Sequence, residues 1–249
     1  MQPIFITGIG TGIGKTLVSA IVTEALDAAY WKPVQAGFEE GTDTSWVGER
    51  ISHRPQPGHP QSRLFPETYK LALPASPHIA ARQEGIIISL DKIADQFDAI
   101  RAGTPANKPN PVTASPSATA NTTSLAPRHL IIEGAGGLLV PLNDTEFVLD
   151  LIQRLDATVI LVSRNYLGSI NHSLLTAAAC RAQGLRVAGW IFNDQYMEYE
   201  QEIVQWSGIP AIASIPFREN PDAEFVRAQA AAIRPALLAA LPPPPVRQI

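Results

Sequence analysis

The chain has 249 residues, 45% of them apolar and 17% charged, which is the composition of a globular protein able to bury a substantial core. A net charge of −4 leaves no basic surplus for nucleic acid, and no apolar run reaches the length of a membrane span. Cys180 stands alone, which rules out a disulfide framework or a thiolate metal site, and with no signal peptide ahead of Ile4 a cytoplasmic enzyme is expected.

The first strand is the apolar run Ile4-Phe5-Ile6. It leads into Gly8-Ile9-Gly10-Thr11-Gly12-Ile13-Gly14-Lys15-Thr16 and then into an amphipathic helical stretch, Leu17 to Leu26. Strand, glycine-rich turn, Lys-Thr and helix is the order a phosphate-binding loop needs. Glycines let backbone N–H groups turn inward around a phosphate, and the helix N-terminus adds partial positive charge. Lys15 reaches the terminal phosphates and the Thr16 hydroxyl can bind Mg²⁺. Five residues separate Gly8 from Gly14, one more than in the strict phosphate-loop pattern. The dinucleotide pattern G-x-G-x-x-G fails, because its third glycine falls on Ile13 or Lys15.

Further along, Tyr30-Trp31-Lys32-Pro33-Val34 reads as a second short strand, and Leu90 to Ile100 as a helix face that stops at Gly103. His129 to Ile132 is a buried-type strand, followed by a helix carrying Phe147, Val148, Leu151, Ile152 and Leu155. Thr158 to Val162 is the next strand. A helix from Ser169 ends at Gly184, Arg186 to Phe192 is a strand, and a helix passes through Ile203 and Trp206. A strand near Ile209–Ile215 and a helix from Ala223 toward Leu241 close the pattern. The alternation predicts an α/β fold: a P-loop NTPase-like domain over 1–241, its mostly parallel sheet carrying helices on both faces. Ligands of such sheets collect beyond the carboxyl ends of the strands. Gly103 to Pro127 holds five prolines, one charged residue (Lys108) and no aromatics, so it is expected to be a flexible insertion. The prolines at 242–245 mark a C-terminal tail over 242–249.

Several residues suit chemistry at those strand ends. Lys32 is either a lysine that has reached solvent or a cation aimed at the phosphate cleft. Glu133, ahead of Gly134-Ala135-Gly136-Gly137, is either a turn acid or a Mg²⁺ ligand beside the phosphates. Asp43, in Gly41-Thr42-Asp43-Thr44, reads alone as a loop acid. In Leu167 to His172, Ser169 suits an N-cap, and the free N–H groups there serve either an ordinary helix start or a substrate carboxylate. His172 reads as a packed or solvated helix residue. Asn193-Asp194 is either a turn or an amide facing the edge of a base.

Together these positions resemble the dethiobiotin synthetase family. The resemblance is carried by the lengthened loop to Thr16, Lys32-Pro33-Val34, Asp43, Ser76-Pro77-His78, Glu133 to Gly137, Leu167 to His172, Gly189-Trp190, Asn193-Asp194 and Ile215-Pro216, in the family's order. It implies a homodimer that converts 7,8-diaminononanoate, CO₂ and MgATP to dethiobiotin, ADP and phosphate. Matching positions assign the nucleotide to Gly12, Ile13, Gly14, Lys15, Thr16, Leu17, Asp43, Glu133, Gly134, Ala135, Gly136, Asn193, Asp194 and Pro216. Thr16, Asp43 and Glu133 would hold Mg²⁺, and Asn193 would face the adenine. Lys15 and Lys32 would be catalytic, with Thr11 beside the carbamate. Ala36 stands in the substrate site where many relatives carry Ser or Thr. Gly168, Ser169 and Asn171 would bind the substrate carboxylate in the partner subunit's site. Related ATPases of the partition and nitrogenase-reductase kind carry a further loop lysine where this chain has Gly10. A cobyrinate-type amide ligase would need a glutaminase domain, for which there is no room.

Deleting Thr104 to Ala126 should leave melting temperature and turnover nearly unchanged, because the segment lacks apolar groups to pack. A thermal melt and an activity assay decide this, and loss of dimerisation or catalysis would assign the segment a role.

Overall fold

The computed structural model describes residues 1–52, 63–103, 127–194 and 197–242. Of the segment expected to be an insertion, Gly103 to Pro127, residues 104–126 lie outside the described residues, as does the tail beyond Pro242. The chain runs through β1 (Gln2–Gly8), α1 (Lys15–Leu26), β2 (Ala29–Trp31), β3 (Val34–Ala36), α2 (Asp43–Arg50), β4 (Leu64–Phe65), β5 (Tyr69–Leu71), α3 (Pro77–Gln83) and α4 (Leu90–Ala102). It continues through β6 (His129–Glu133), α5 (Val148–Arg154), β7 (Thr158–Arg164), α6 (Ser169–Ala182), β8 (Val187–Asn193), α7 (Tyr199–Ser207), β9 (Ala211–Ile215) and α8 (Ala223–Ala240).

Seven strands form one sheet in the order β4-β2-β6-β1-β7-β8-β9, and every neighbouring pair is parallel. Parallel pairing needs crossovers, and the helices supply them on both faces. Alternate residues of each strand therefore enter different cores. Phe5, Trp31, Ile132, Leu161 and Trp190 pack with Ile93, Phe97, Leu151, Ala177 and Ile203. Ile4, Ile6, Tyr30, Ile131 and Ile160 pack with Val18, Ile21, Val47, Val226 and Ile233. Because all strands point one way, Gly8, Glu133 and the chain leaving Trp31 emerge on the same edge.

Four sequence expectations change. The stretch Tyr30 to Val34 is two strands, because Lys32-Pro33 leaves the large sheet and Val34 starts a two-stranded sheet with β5. Pro33 has no N–H to give a ladder, but its carbonyl accepts from Thr68 and Tyr69. Asp43 opens α2 rather than sitting in a loop: the Thr42 hydroxyl accepts from the Ser45 N–H at 3.1 Å, the N-cap contact that starts the helix. The α1 helix is buried almost all round rather than amphipathic, since α2 and α8 cover the side turned from the sheet. Gly168, at φ 105°, takes the N-cap position expected for Ser169, which becomes the first residue of α6 and is buried.

Cys180 sits in the core on α6, and burial raises its thiol to about 11. The native protein should therefore react with a thiol reagent at pH 8 at least about a hundredfold more slowly than the unfolded chain. A disulfide-exchange time course with and without denaturant checks this; equal rates would place Cys180 at the surface.

Candidate active site

The loop after β1 is built around two positions that accept no side chain. A Cβ on Gly8 would lie 2.2 Å from the Val162 carbonyl oxygen. Gly14, the N-cap of α1, has φ 87°, and a Cβ there would meet the Asn193 side chain at 2.5 Å. The Asn193 amide donates to the Ile13 carbonyl at 2.7 Å, so the end of β8 braces the loop from behind. The loop delivers Lys15 and Thr16 to the first turn of α1. Lys15 is buried and donates to the Gly10 carbonyl at 2.6 Å. Burial lowers its ammonium to about 8, against the opposing pull of Glu133.

Thr16, Lys32, Asp43 and Glu133 meet beside it. The Thr16 hydroxyl lies 3.0 Å from Asp43 Oδ1 and 2.9 Å from Glu133 Oε1, and its one proton serves one of them at a time. Lys32 donates to Asp43 Oδ2 and, at 2.9 Å, to Glu133 Oε1. Burial alone would lower the Lys32 ammonium, but Glu133 and Asp43 outweigh it and hold it above the usual lysine range. On the far side of Glu133, the Tyr30 hydroxyl donates to Oε2 at 2.9 Å. Burial and the Glu133 charge push that phenol well above its ordinary range, so it stays a donor. Asp43 is aimed by Gln35, whose side-chain oxygen accepts the Asp43 N–H at 3.2 Å. Three protein oxygens thus surround a point already neutralised by an ammonium, which is the donor set a hard divalent cation takes.

These groups open onto a cleft of about 760 Å³ at the carboxyl edge of the sheet. Of the positions expected to bind nucleotide or metal, Gly12, Gly14, Lys15, Thr16, Asp43, Glu133, Ala135 and Gly136 line it. Lys32, Thr11 and Ala36 line it as well. Other expected positions lie elsewhere. Ile13 is buried behind the loop and Leu17 packs against the α1 core. Gly134 is tied to the Ile6 carbonyl at 2.9 Å, outside the cleft wall. Asn193, Asp194 and Pro216 stand at the ends of β8 and β9, behind the loop. Asn193 Oδ1 is buried and has no hydrogen-bond partner among the described residues, so an acceptor remains there. Gly168, Ser169 and Asn171 lie at the start of α6, away from this cleft.

Sequence reasoning missed Gln35, Val34 and Val140 in the cleft wall and Tyr30 beneath it. The wall also includes Pro74 to Pro77. Tyr30 becomes legible only once the strand pairing is known. It faces the same side of the sheet as Ile131, its partner in β6, and Glu133 follows two residues later on that face.

The profile of the AAA domain family matches residues 2–224. An ATP-dependent dethiobiotin synthetase BioD of Cytophaga hutchinsonii is 44% identical over 92% of this chain and 96% of its own length. One from Rhodopseudomonas palustris is 39% identical over 91% of each chain, and one from Christiangramia forsetii 40% identical over 85% and 86%. Among solved structures, the MinC:MinD cell division complex of Aquifex aeolicus superposes with a TM-score of 0.54 at 14% identity, covering 99% of both chains. MinD of Pyrococcus horikoshii, complexed with Mg-ADP, gives 0.52 at 14%, covering 96% and 92%. At such identities these two establish the shared fold alone. The synthetase relatives match along most of their own length, and the chain belongs to the ATP-dependent dethiobiotin synthetase family.

Proposed function

We propose that this chain closes 7,8-diaminononanoate and CO₂ into the cyclic urea dethiobiotin, using MgATP and releasing ADP and phosphate, a step of biotin synthesis. The observation that carries the reading is the convergence of Lys15, Lys32, Thr16, Asp43 and Glu133 on one cleft beside a phosphate loop. A vicinal diamine meets CO₂ through one amine, which forms an N–C bond and loses a proton to give a carbamate. A carbamate oxygen attacks the γ-phosphorus of ATP, and the bond to the bridging oxygen breaks, releasing ADP. The second amine then attacks the activated carbonyl, phosphate leaves, and a second proton departs as the ring closes. Each step gathers negative charge on oxygens, which fixed cations stabilise.

The residues divide this work by position. Lys15 exchanges its bond to the Gly10 carbonyl for a phosphate oxygen. Lys32 holds the carbamate and the charge that grows on it. Thr11, at the mouth of the cleft, lies beside the carbamate, and Ala36 leaves room along the substrate chain. Thr16, Asp43 and Glu133 would hold Mg²⁺, which would neutralise phosphate charge there. The Gly12 to Leu17 and Gly134 to Gly136 segments frame the nucleotide, and Asn193, Asp194 and Pro216 frame its base. The unpartnered Asn193 acceptor suits an exocyclic amino group.

The enzyme works as a homodimer. Gly168 and Asn171 of one subunit take the substrate carboxylate at the other's cleft, with the buried Ser169 holding the helix start behind them, consistent with their absence from the lining of their own cleft and with the exposed Leu167 and Leu175 beside them. Among the described residues no helix is long and apolar enough to cross a membrane, and the enzyme acts in the cytoplasm.

ADP release should require both the diamine and bicarbonate. Lys15→Ala and Lys32→Ala should each lower turnover at least about a hundredfold, with circular dichroism unchanged. A coupled ADP assay reads both. Hydrolysis indifferent to the diamine, or near-normal turnover in folded Lys32→Ala, would overturn the reading.

A further inference from the structure

We infer that Tyr30 is a positioning residue for the reaction: it fixes the orientation of the Glu133 carboxylate from the core side, so that Oε1 stays aimed at the cation site while its other partners change. The inference rests on the proposed role of Glu133 as a metal ligand.

The terminal torsion of a glutamate is broad and nearly two-fold, so backbone and rotamer preferences do not orient its oxygens. Hydrogen bonds must. Glu133 is 1% exposed, and the contacts on Oε1 come from Lys32 and Thr16, each at 2.9 Å. Both are groups that must exchange partners when nucleotide, metal and carbamate arrive. Tyr30 differs. It is fully buried and donates to Oε2 at 2.9 Å from the side turned away from the cleft.

The fold makes this contact rigid. Tyr30 lies on β2 opposite Ile131 of β6, with both side chains in the core that α1 covers. In-register parallel neighbours share a face, and Glu133 is two residues past Ile131 on that face. The phenol thus runs along the sheet toward the carboxyl edge and meets the carboxylate there. Its ring is fully buried in the core that also holds Ile6, Val18, Ile21 and Val47, so its hydroxyl cannot follow the cleft groups when they move.

Tyr30→Phe keeps the ring and removes the donor. In the ADP complex, Mn²⁺ affinity read by electron paramagnetic resonance should fall about tenfold or more, as it does when groups supporting metal ligands are lost. The Mg²⁺ concentration for half-maximal rate should rise in step. Metal-free ADP affinity should be unchanged, and kcat at saturating Mg²⁺ should stay within about threefold. Mn²⁺ affinity unchanged in folded Tyr30→Phe, with Glu133→Gln weakening it, would overturn the role of Tyr30 alone. Unchanged affinity in Glu133→Gln would overturn the metal assignment as well.

A second readout needs no variant at position 30. With tyrosine labelled at Cζ, Glu133→Gln should move one of the five tyrosine resonances, which identifies Tyr30. In the wild type that resonance should hold its place when ADP and Mg²⁺ are added. Its shift to the position of a solvent-exposed phenol would mean that Tyr30 releases Glu133, and the inference would fail.

Discussion

The ammonium of Lys32 between the carboxylates of Asp43 and Glu133 is the contact around which this molecule is arranged. Lys32 and Glu133 have side chains only 8% and 1% exposed, so neither charge can be left to water. Removing one partner of such a pair costs about 3–5 kcal/mol, because the other charge stays buried without compensation. With Lys15 alongside, the set holds two cations and two anions, and a neutral set is the cheapest way to keep four charges in one cleft. On the proposed reading the balance is poised for exchange: a nucleotide would bring anionic phosphates and a divalent cation together, and each lysine would have an anionic oxygen to move to.

That contact dictates which chain segments must meet. Lys32 follows β2, Glu133 ends β6, Asp43 starts α2 and Thr16 lies in the first turn of α1. A parallel sheet brings the first two to one edge, since β2 and β6 are neighbours running the same way. The remaining two come from helix N-termini, where free N–H groups favour anions. The same edge receives Gly8, and beyond it Asn193 holds the loop through the Ile13 carbonyl. The large sheet can therefore be read as a platform that presents charged groups from strand ends to one cleft while burying apolar side chains on both faces.

Much of this was legible in the residues. The loop from Gly8 to Thr16 and the acid at the end of an apolar strand, Glu133, follow from local pattern, because glycine spacing and strand ends are local properties. The long β-branched strands were legible for the same reason. The region from Gly37 to Ile88 was not: α2, β4, β5 and α3 are short, and their apolar residues show no run long enough to set a period. Asp43 read as a loop acid for that reason. The cap that makes it helical is a reciprocal pair of hydrogen bonds between Thr42 and Ser45 alone, and Gln35, which aims it, comes from a strand eight residues earlier. The Tyr30–Glu133 bond spans 103 residues and depends on β6 inserting beside β2, a pairing no local pattern specifies. The helix at Ser169 shows the opposite limit, where a good capping residue was displaced because Gly168 adopts the left-handed conformation instead.

Everything proposed for the cleft turns on one claim: that phosphoryl transfer there activates a carbamate and that the phosphate leaves as a ring closes. The measurement that tests it most directly follows labelled carbon. With ¹³C-bicarbonate, MgATP and 7,8-diaminononanoate, the account predicts label in the ring carbonyl of dethiobiotin and one ADP for each ring formed. Label remaining in solution while a phosphorylated small molecule accumulates would contradict it and identify the protein as a kinase.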